Sequence, residues 1–284
     1  MALTAGTVGL AGCGGSSGTT GTDTSSTAGG TKTELTGAIT IAGSDTMINL
    51  AQAWAEEFMK ANPGVQLSVK GGGSGTGIAA LLNSTVDFAD SSREMKPEEI
   101  AQLAAKGGDA VKTVVARDGV TIIVNPSNPI TDISKDNLGK VYRGEITNWK
   151  QVGGPDKPIT LVSRDPSSGT YEVVSSKVLG AAKKFAQSTK LLPSTQAIVD
   201  EVKANADAIG YIGIGYESAD IKPITLDGKA ATKATVLDGS YELARTLQMY
   251  SNGAPKDVMK AYVDWILSDA GQKIVTDQGF VTVK

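Results

Sequence analysis

Four segments of the chain follow one order: an alternating apolar run, a short loop of Ser, Thr and Gly, then apolar residues at helical spacing. Ile39-Thr40-Ile41 enters Gly43-Ser44-Asp45-Thr46, after which Met47, Leu50, Ala51, Trp54, Ala55 and Phe58 recur at helical intervals. Val65 to Val69 alternates into the glycine-rich stretch Gly71 to Gly77, and Ile78, Leu81 and Leu82 resume a helical face. Val86 to Ala89 leads to Asp90-Ser91-Ser92-Arg93, with Pro97 where a helix would begin. Ile159 to Val162 runs into Ser163-Arg164-Asp165-Pro166-Ser167-Ser168-Gly169-Thr170, and Tyr171, Val174 and Val178 mark the next helix. Strands alternating with helices predict an α/β architecture with largely parallel sheets. In such sheets ligands bind beyond the carboxyl ends of the strands, where these loops fall. Near the C-terminus, Asp257 to Gln272 reads as one helix with Val258, Ala261, Tyr262, Trp265 and Ile266 on one face.

The loops carry the composition of an anion site. A helix N-terminus has unpaired N–H groups and a partial positive charge, so several such ends meeting would make a donor-rich pocket for a tetrahedral oxyanion. Ser and Thr hydroxyls add donors, and Gly lets the backbone come close. Of the five arginines, Arg164 stands four residues before Ser168, and a guanidinium fork suits an oxyanion. Each loop alone has a plainer reading. Ser44-Asp45-Thr46 could be a helix cap, Gly71 to Gly77 a flexible turn, Arg164 an ion-pair partner of Asp165, and Arg93 an exposed ion pair. The glycine stretch fits neither a nucleotide P-loop, because Ile78 follows Gly77, nor a dinucleotide fingerprint. The four loops together carry the reading.

Composition narrows the chemistry further. A chain of 284 residues with 40% apolar and 20% charged residues can bury one large domain or two ordinary ones. Its net charge of −3 argues against nucleic acid, which needs clustered cations. An anion held by such a chain must be held by local geometry. With no histidine and one cysteine, the usual zinc sites and histidine-assisted nucleophiles are excluded, and neither a catalytic residue nor a metal or cofactor site is expected.

The one cysteine closes Leu10-Ala11-Gly12-Cys13, which resembles the bacterial lipobox and makes Cys13 the expected lipidation site. The preceding apolar run is short and the first basic residue is Lys32, so an abbreviated leader, with a misplaced initiation codon, is expected. Gly14 to Thr33 is nearly all Gly, Ser, Thr and Ala, the composition of a tether. The alternative is a lone cysteine in an unstructured tail. No later stretch approaches the roughly 20 apolar residues that span a bilayer. The expected location is therefore the outer face of the cytoplasmic membrane or the periplasm, by a lipid anchor.

Leu138 to Trp149, Val152-Gly153-Gly154, Pro158-Ile159 and Arg164 to Thr170 together resemble the phosphate-binding proteins of phosphate-specific ABC transporters. Ala208 to Tyr216, Gly43 to Thr46 and the Gly-Gly-Ser-Gly loop are similar to further segments of that family, and the resemblance spans roughly Gly37 to the C-terminus. It implies a type II periplasmic-binding-protein fold whose two lobes close on inorganic phosphate and pass it to the permease and ATPase of an importer, without catalysis. Residues 1–34 would then be leader and tether, 35–118 the first part of lobe 1, 119–240 lobe 2, and 241–284 the return to lobe 1. Strands such as Gly119 to Val124 and Tyr241 to Leu247 would join the lobes.

Carried over residue by residue, the resemblance implies phosphate contacts from Thr46 and the N–H of Met47, from Ser74, and from Arg164, Ser168, Gly169 and Thr170, with Ser44 an addition. Some family members place an aspartate at the position of Ser92, where it accepts the proton of bound phosphate. Here Ser92 is expected to touch the ligand, with Asp90 rather than Asp45 supplying the acceptor. Both aspartates could instead cap helices or pair with arginine. Sulfate, molybdate or tungstate binding, phosphate sensing, and an enzyme of phosphate esters are the competing functions.

Overall fold

A computed structural model describes residues 34–180 and 183–284, so Cys13 and the tether lie outside the described residues. The three N-terminal units form as the spacing predicts. Strand β1 (Gly37–Gly43) feeds helix α1 (Ile48–Ala61), β2 (Val65–Lys70) feeds α2 (Ser74–Leu82), and β3 (Phe88–Ser91) feeds α3 (Pro97–Ala105). The buried stripe of α1 is Leu50, Ala51, Trp54, Ala55 and Phe58, set by the 3.6-residue period of the sequence. It packs on α8 (Asp257–Ile266), where Phe58 meets Tyr262 and Trp265 edge-on at 5.1 and 5.5 Å. Such pairs contribute about 0.5–1.5 kcal/mol each beyond their buried area.

Strand β4 (Ala110–Val124) is 15 residues long and leads into a second group of elements. These are β5 (Asp132–Ile133), α4 (Lys135–Tyr142), β6 (Thr160–Arg164), α5 (Gly169–Val174), β7 (Lys190–Leu192), α6 (Thr195–Ala204), β8 (Ala208–Gly213), β9 (Lys222–Leu226) and α7 (Lys233–Leu237). Then β10 (Ala244–Asn252) returns to the first group, before α8 and α9 (Asp269–Asp277). The strands line up as β2-β1-β3-β10-β4-β8-β6-β7, with β9 beside β4 and β5 beside β9. The parallel character expected of βα units is confined to the two wings: β1 with β2 and β3, β6 with β7 and β8, and β5 with β9. Among the described strands, every antiparallel pairing of one strand with another involves β4 or β10.

Strand β4 changes partners in mid-course. Ala110 to Gly119 pairs with β10, whereas Val120 to Val124 pairs with β8 and β9. Strand β4 starts at Ala110, ahead of the apolar run that marks it in sequence, because its outer residues are half-buried or exposed; β10 starts at Ala244 and not Tyr241, and runs on through the buried Gln248 to Ser251. The C-terminal helix expected over Asp257 to Gln272 is two helices. Ser268 ends the first and caps the second, its hydroxyl accepting from the N–H of Gly271 at 3.4 Å. Among the described residues, no helix is long and apolar enough to cross a membrane.

Candidate functional site

The Ser/Thr/Gly loops converge. Ser44 Oγ donates to Ser92 Oγ at 2.9 Å, and Ser92 Oγ lies 3.3 Å from Ser74 Oγ. The N–H of Ser92 donates to Ser74 Oγ at 3.1 Å, and Thr46 Oγ1 lies 2.8 Å from Thr170 Oγ1. All five hydroxyl residues are at most 3% exposed. Segments 44–46, 74, 92 and 168–170 thus form one buried cluster beyond the carboxyl ends of β1, β2, β3 and β6, the position that βα topology assigns to a ligand.

Contacts across the cluster draw its two sides together. The N–H of Gly75 donates to the carbonyl of Ser167 at 2.9 Å, and Ser167 Oγ donates to the carbonyl of Gly72 at 3.1 Å. Gly73 has φ +94°, and a Cβ there would lie 2.6 Å from Ser167 Oγ. A Cβ on Gly169 would lie 2.5 Å from Ser74 Oγ and 2.7 Å from Ser92 Oγ. The glycine-rich stretch is therefore a close-approach surface, and the flexible-turn reading is set aside.

Several sequence expectations need correction. No side chain caps α1, so Ser44-Asp45-Thr46 is not the helix cap considered above. The N–H of Met47 donates to the carbonyl of Ser44 at 3.0 Å, closing a turn, and Met47 itself is fully buried in the core. Ser168 caps α5, accepting from the N–H groups of Thr170 and Tyr171 at 3.2 and 3.4 Å.

Arg164 does not turn its fork to the hydroxyl cluster, nor does it pair with Asp165. Its Nη2 donates to Asp45 Oδ2 at 2.6 Å and to the carbonyl of Pro193 at 2.9 Å, while Nη1 donates to Thr195 and Nε to the carbonyl of Leu192. A carboxylate and two carbonyls within reach of a 1%-exposed guanidinium draw its donors first. Asp45 is thereby paired, its Oδ1 also accepting from the N–H of Gly72 at 3.2 Å.

Asp90 meets the 44–46 loop through its backbone, its carbonyl accepting from the N–H of Ser44 at 2.9 Å. Its carboxylate makes no hydrogen bond with Ser44, Ser74 or Ser92, and Oδ1 has no partner among the described residues. Burial pushes this carboxyl up to about 8. Tyr262 Oη, likewise buried without a partner, feels the Asp90 charge. Asp90 therefore serves the core and not the cluster, which overturns its expected part as acceptor. Arg93 is an ion pair, as expected, but a buried one. Its Nη2 and Nε lie 2.7 and 3.1 Å from carboxylate oxygens of Glu99 and Glu172, with the side chain 7% exposed.

Two residues absent from the sequence reading join the cluster. Arg245 of β10 donates from Nη1 to Thr170 Oγ1 at 3.0 Å and to the carbonyl of Ser92 at 3.2 Å, and from Nη2 to Thr46 Oγ1 at 3.3 Å. Its Nε and Nη2 also donate to Asp118 Oδ2 of β4 at 2.8 and 2.6 Å. Asp118 is fully buried, and Oδ1 accepts from the N–H of Ile214 at 3.0 Å. Burial pushes its carboxyl above the usual carboxylate range, even against the pull of Arg245. The available signal was the one charge of β10, Arg245, and the one carboxylate of β4, Asp118, in strands otherwise largely bound for the core, where buried opposite charges require each other. Beside the cluster a groove of about 450 Å³ opens, with Ser92 and Arg245 in its wall.

Comparison with known proteins agrees with this architecture. Residues 18–270 match the PBP superfamily domain. The chain is 32% identical over 257 residues to the phosphate-binding protein PstS of Borreliella burgdorferi, covering 87% of this chain and 90% of that protein. It is 35% identical over 249 residues to the phosphate-binding protein PstS of Bacillus subtilis, covering 87% and 81%. A Clostridium perfringens protein, assigned as a phosphate ABC transporter substrate-binding protein and solved with bound phosphate, superposes with a TM-score of 0.82 at 30% identity, over 87% of this chain and 100% of that one. With the α/β fold and loop cluster above, these likenesses establish that the chain belongs to the PBP superfamily and, within it, to the PstS-type phosphate-binding proteins.

Proposed function

We propose that this chain captures inorganic phosphate outside the cytoplasm for an ABC importer and performs no catalysis on it. The observation that carries the proposal is the gathering of five buried hydroxyls from four segments, Ser44, Thr46, Ser74, Ser92 and Thr170, at one place. A tetrahedral oxyanion at that point would replace hydroxyl–hydroxyl bonds by charge-assisted ones, each contributing roughly 1.5–3 kcal/mol. Ser168 and Gly169 would hold the first turn of α5 against it. Arg164 would act from behind, fixing Asp45 and the 44–46 loop, while Met47 closes the turn that sets Thr46.

In this reading residues 35–118 with 241–284, and residues 119–240, are lobes that part to admit the ligand and meet over it. The partners are the permease and ATPase of a phosphate importer, to which a closed receptor would deliver. Cys13, in a lipobox-like sequence followed by a Gly/Ser/Thr tether, is the proposed lipid anchor to the outer face of the membrane.

Isothermal calorimetry with phosphate, followed by competition with sulfate, molybdate and tungstate at pH 7, tests the ligand. Phosphate should bind at one site and resist displacement by the others. Equal displacement by sulfate would sink the phosphate assignment. For the anchor, Cys13→Ser in the full-length chain should shift the protein to the soluble fraction, and continued membrane association would reject the anchor.

A further inference from the structure

Arg245 stands on β10 opposite Asp118 of β4, in register, two residues before Val120, where β4 exchanges β10 for β8. Its guanidinium has two edges with different partners. The Nε–Nη2 edge is held by Asp118 Oδ2 at 2.8 and 2.6 Å. The Nη1–Nη2 edge points at Thr170 and Thr46, at 3.0 and 3.3 Å, whose hydroxyls lie 2.8 Å from one another. Thr46 follows β1 and Thr170 lies in α5, so this edge reaches both sides of the cluster. No other arginine does so: Arg164 is bound to Asp45, Thr195 and two carbonyls, and Arg93 to Glu99 and Glu172. The Arg245 side chain is 6% exposed and Asp118 is 0% exposed, so the pair is shielded from screening. Arg245 also forms part of the wall of the groove beside the cluster, where a ligand would approach.

We propose that Arg245 is a guanidinium that clamps the captured oxyanion, and that Asp118 orients it and cancels its charge, so that this edge of the pocket gives no premium to the more highly charged of two ligands. The proposal rests on the oxyanion-capture reading above and adds to it a ligand-clamping pair. A guanidinium with one edge fixed by a carboxylate loses little freedom when the other edge engages a ligand, which favours binding. A pocket whose cation is matched by a buried anion gives no advantage to the more highly charged of two tetrahedral ligands. Sulfate, fully ionised at neutral pH, gains nothing over protonated phosphate.

The decisive variant is the double replacement Arg245→Gln with Asp118→Asn, which removes both charges and leaves neither buried alone. Its fold is checked by circular dichroism and thermal melting. Phosphate affinity in the folded double variant should fall at least about 100-fold, the loss expected for two charge-assisted donors. Asp118→Asn alone leaves Arg245 charged and should raise sulfate affinity relative to phosphate about 10-fold or more. A folded double variant that binds phosphate within about threefold of the unmutated chain would overturn the clamp. An unchanged sulfate-to-phosphate ratio in Asp118→Asn would overturn the charge-cancelling part. Should that single variant fail to fold, Arg245→Gln alone, which leaves Asp118 charged, carries the same test with the opposite sign: sulfate affinity should fall relative to phosphate, and an unchanged ratio would overturn the charge-cancelling part. An unmutated chain that binds no phosphate would refute the capture reading instead, which separates the two failures.

Discussion

Asp90 shows how one residue can carry the right chemistry on the wrong face. It lies on β3 two positions after Phe88, and side chains two apart on a strand share a face. Phe88 is buried in the core with Tyr262, so Asp90 points there too, and only its backbone carbonyl meets the 44–46 loop. The alternation was legible in the sequence. What obscured it was the neighbouring Ser91-Ser92, which made the whole stretch read as a loop. The consequence is measurable. The carboxyl titrates near 8 in the folded chain against an ordinary 3.8. Between those values the unfolded chain has lost the proton and the folded chain keeps it, so the folded state binds more protons. The stabilising contribution is fully present below pH 3.8 and is lost as pH rises through about 8. The slope is at most about 1.4 kcal/mol per pH unit. Asp90→Asn should remove this slope, so that urea denaturation at pH 5 and pH 8 shows a smaller drop for the variant than for the unmutated chain. Equal drops would show that Asp90 does not titrate as its burial dictates. Arg245 and Asp118 were harder to read, because the pair is 127 residues apart in sequence and neither residue stands in a distinctive motif.

At the scale of elements, the strand–loop–helix units were legible because each has a local cause: alternation, then glycine and hydroxyl residues, then a 3.6-residue stripe. Their ends were less so. The outer half of β4, Ala110 to Val114, is half-buried or exposed and lacks the apolar run that betrays Val120 to Val124. Its strand state comes from pairing with β10, which no local pattern announces. The α8–α9 break had a local signal in Ser268, a residue that competes for backbone donors and so favours helix starts. Trp54 Nε1 donates to the carbonyl of Gly271 at 2.8 Å, locking the first turn of α9 onto α1. Ser268→Ala should therefore lower stability by about 1 kcal/mol, the ordinary worth of an N-cap, as read from the denaturation midpoint. A Ser268→Asp variant, which restores a capping oxygen, should recover most of the loss. Failure of that recovery would assign the effect of Ser268→Ala to the bond its hydroxyl donates to the carbonyl of Trp265 at 2.6 Å, which an aspartate cannot make.

Across the whole molecule, each arginine around the hydroxyl cluster faces a carboxylate: Arg164 with Asp45, Arg93 with Glu99 and Glu172, and Arg245 with Asp118. Arg164 with Asp45 and Arg245 with Asp118 could not be assigned from sequence, since each joins segments that only the folded sheet brings together, whereas Arg93 and Glu99 are six residues apart. The chain's net charge of −3 offers no compensating attraction. Matched charges at the site and a mildly acidic exterior leave nothing to pull a distant anion inward. Capture should therefore proceed at a rate that salt barely touches. Stopped-flow association with phosphate between about 0.01 and 1 M salt, over which the screening length shrinks from about 30 to 3 Å, should change less than about threefold. A fall of tenfold or more would reveal a guiding field that the ion pairs do not predict. A receptor of this design waits for its ligand to arrive by random encounter, and works equally in dilute and in concentrated surroundings.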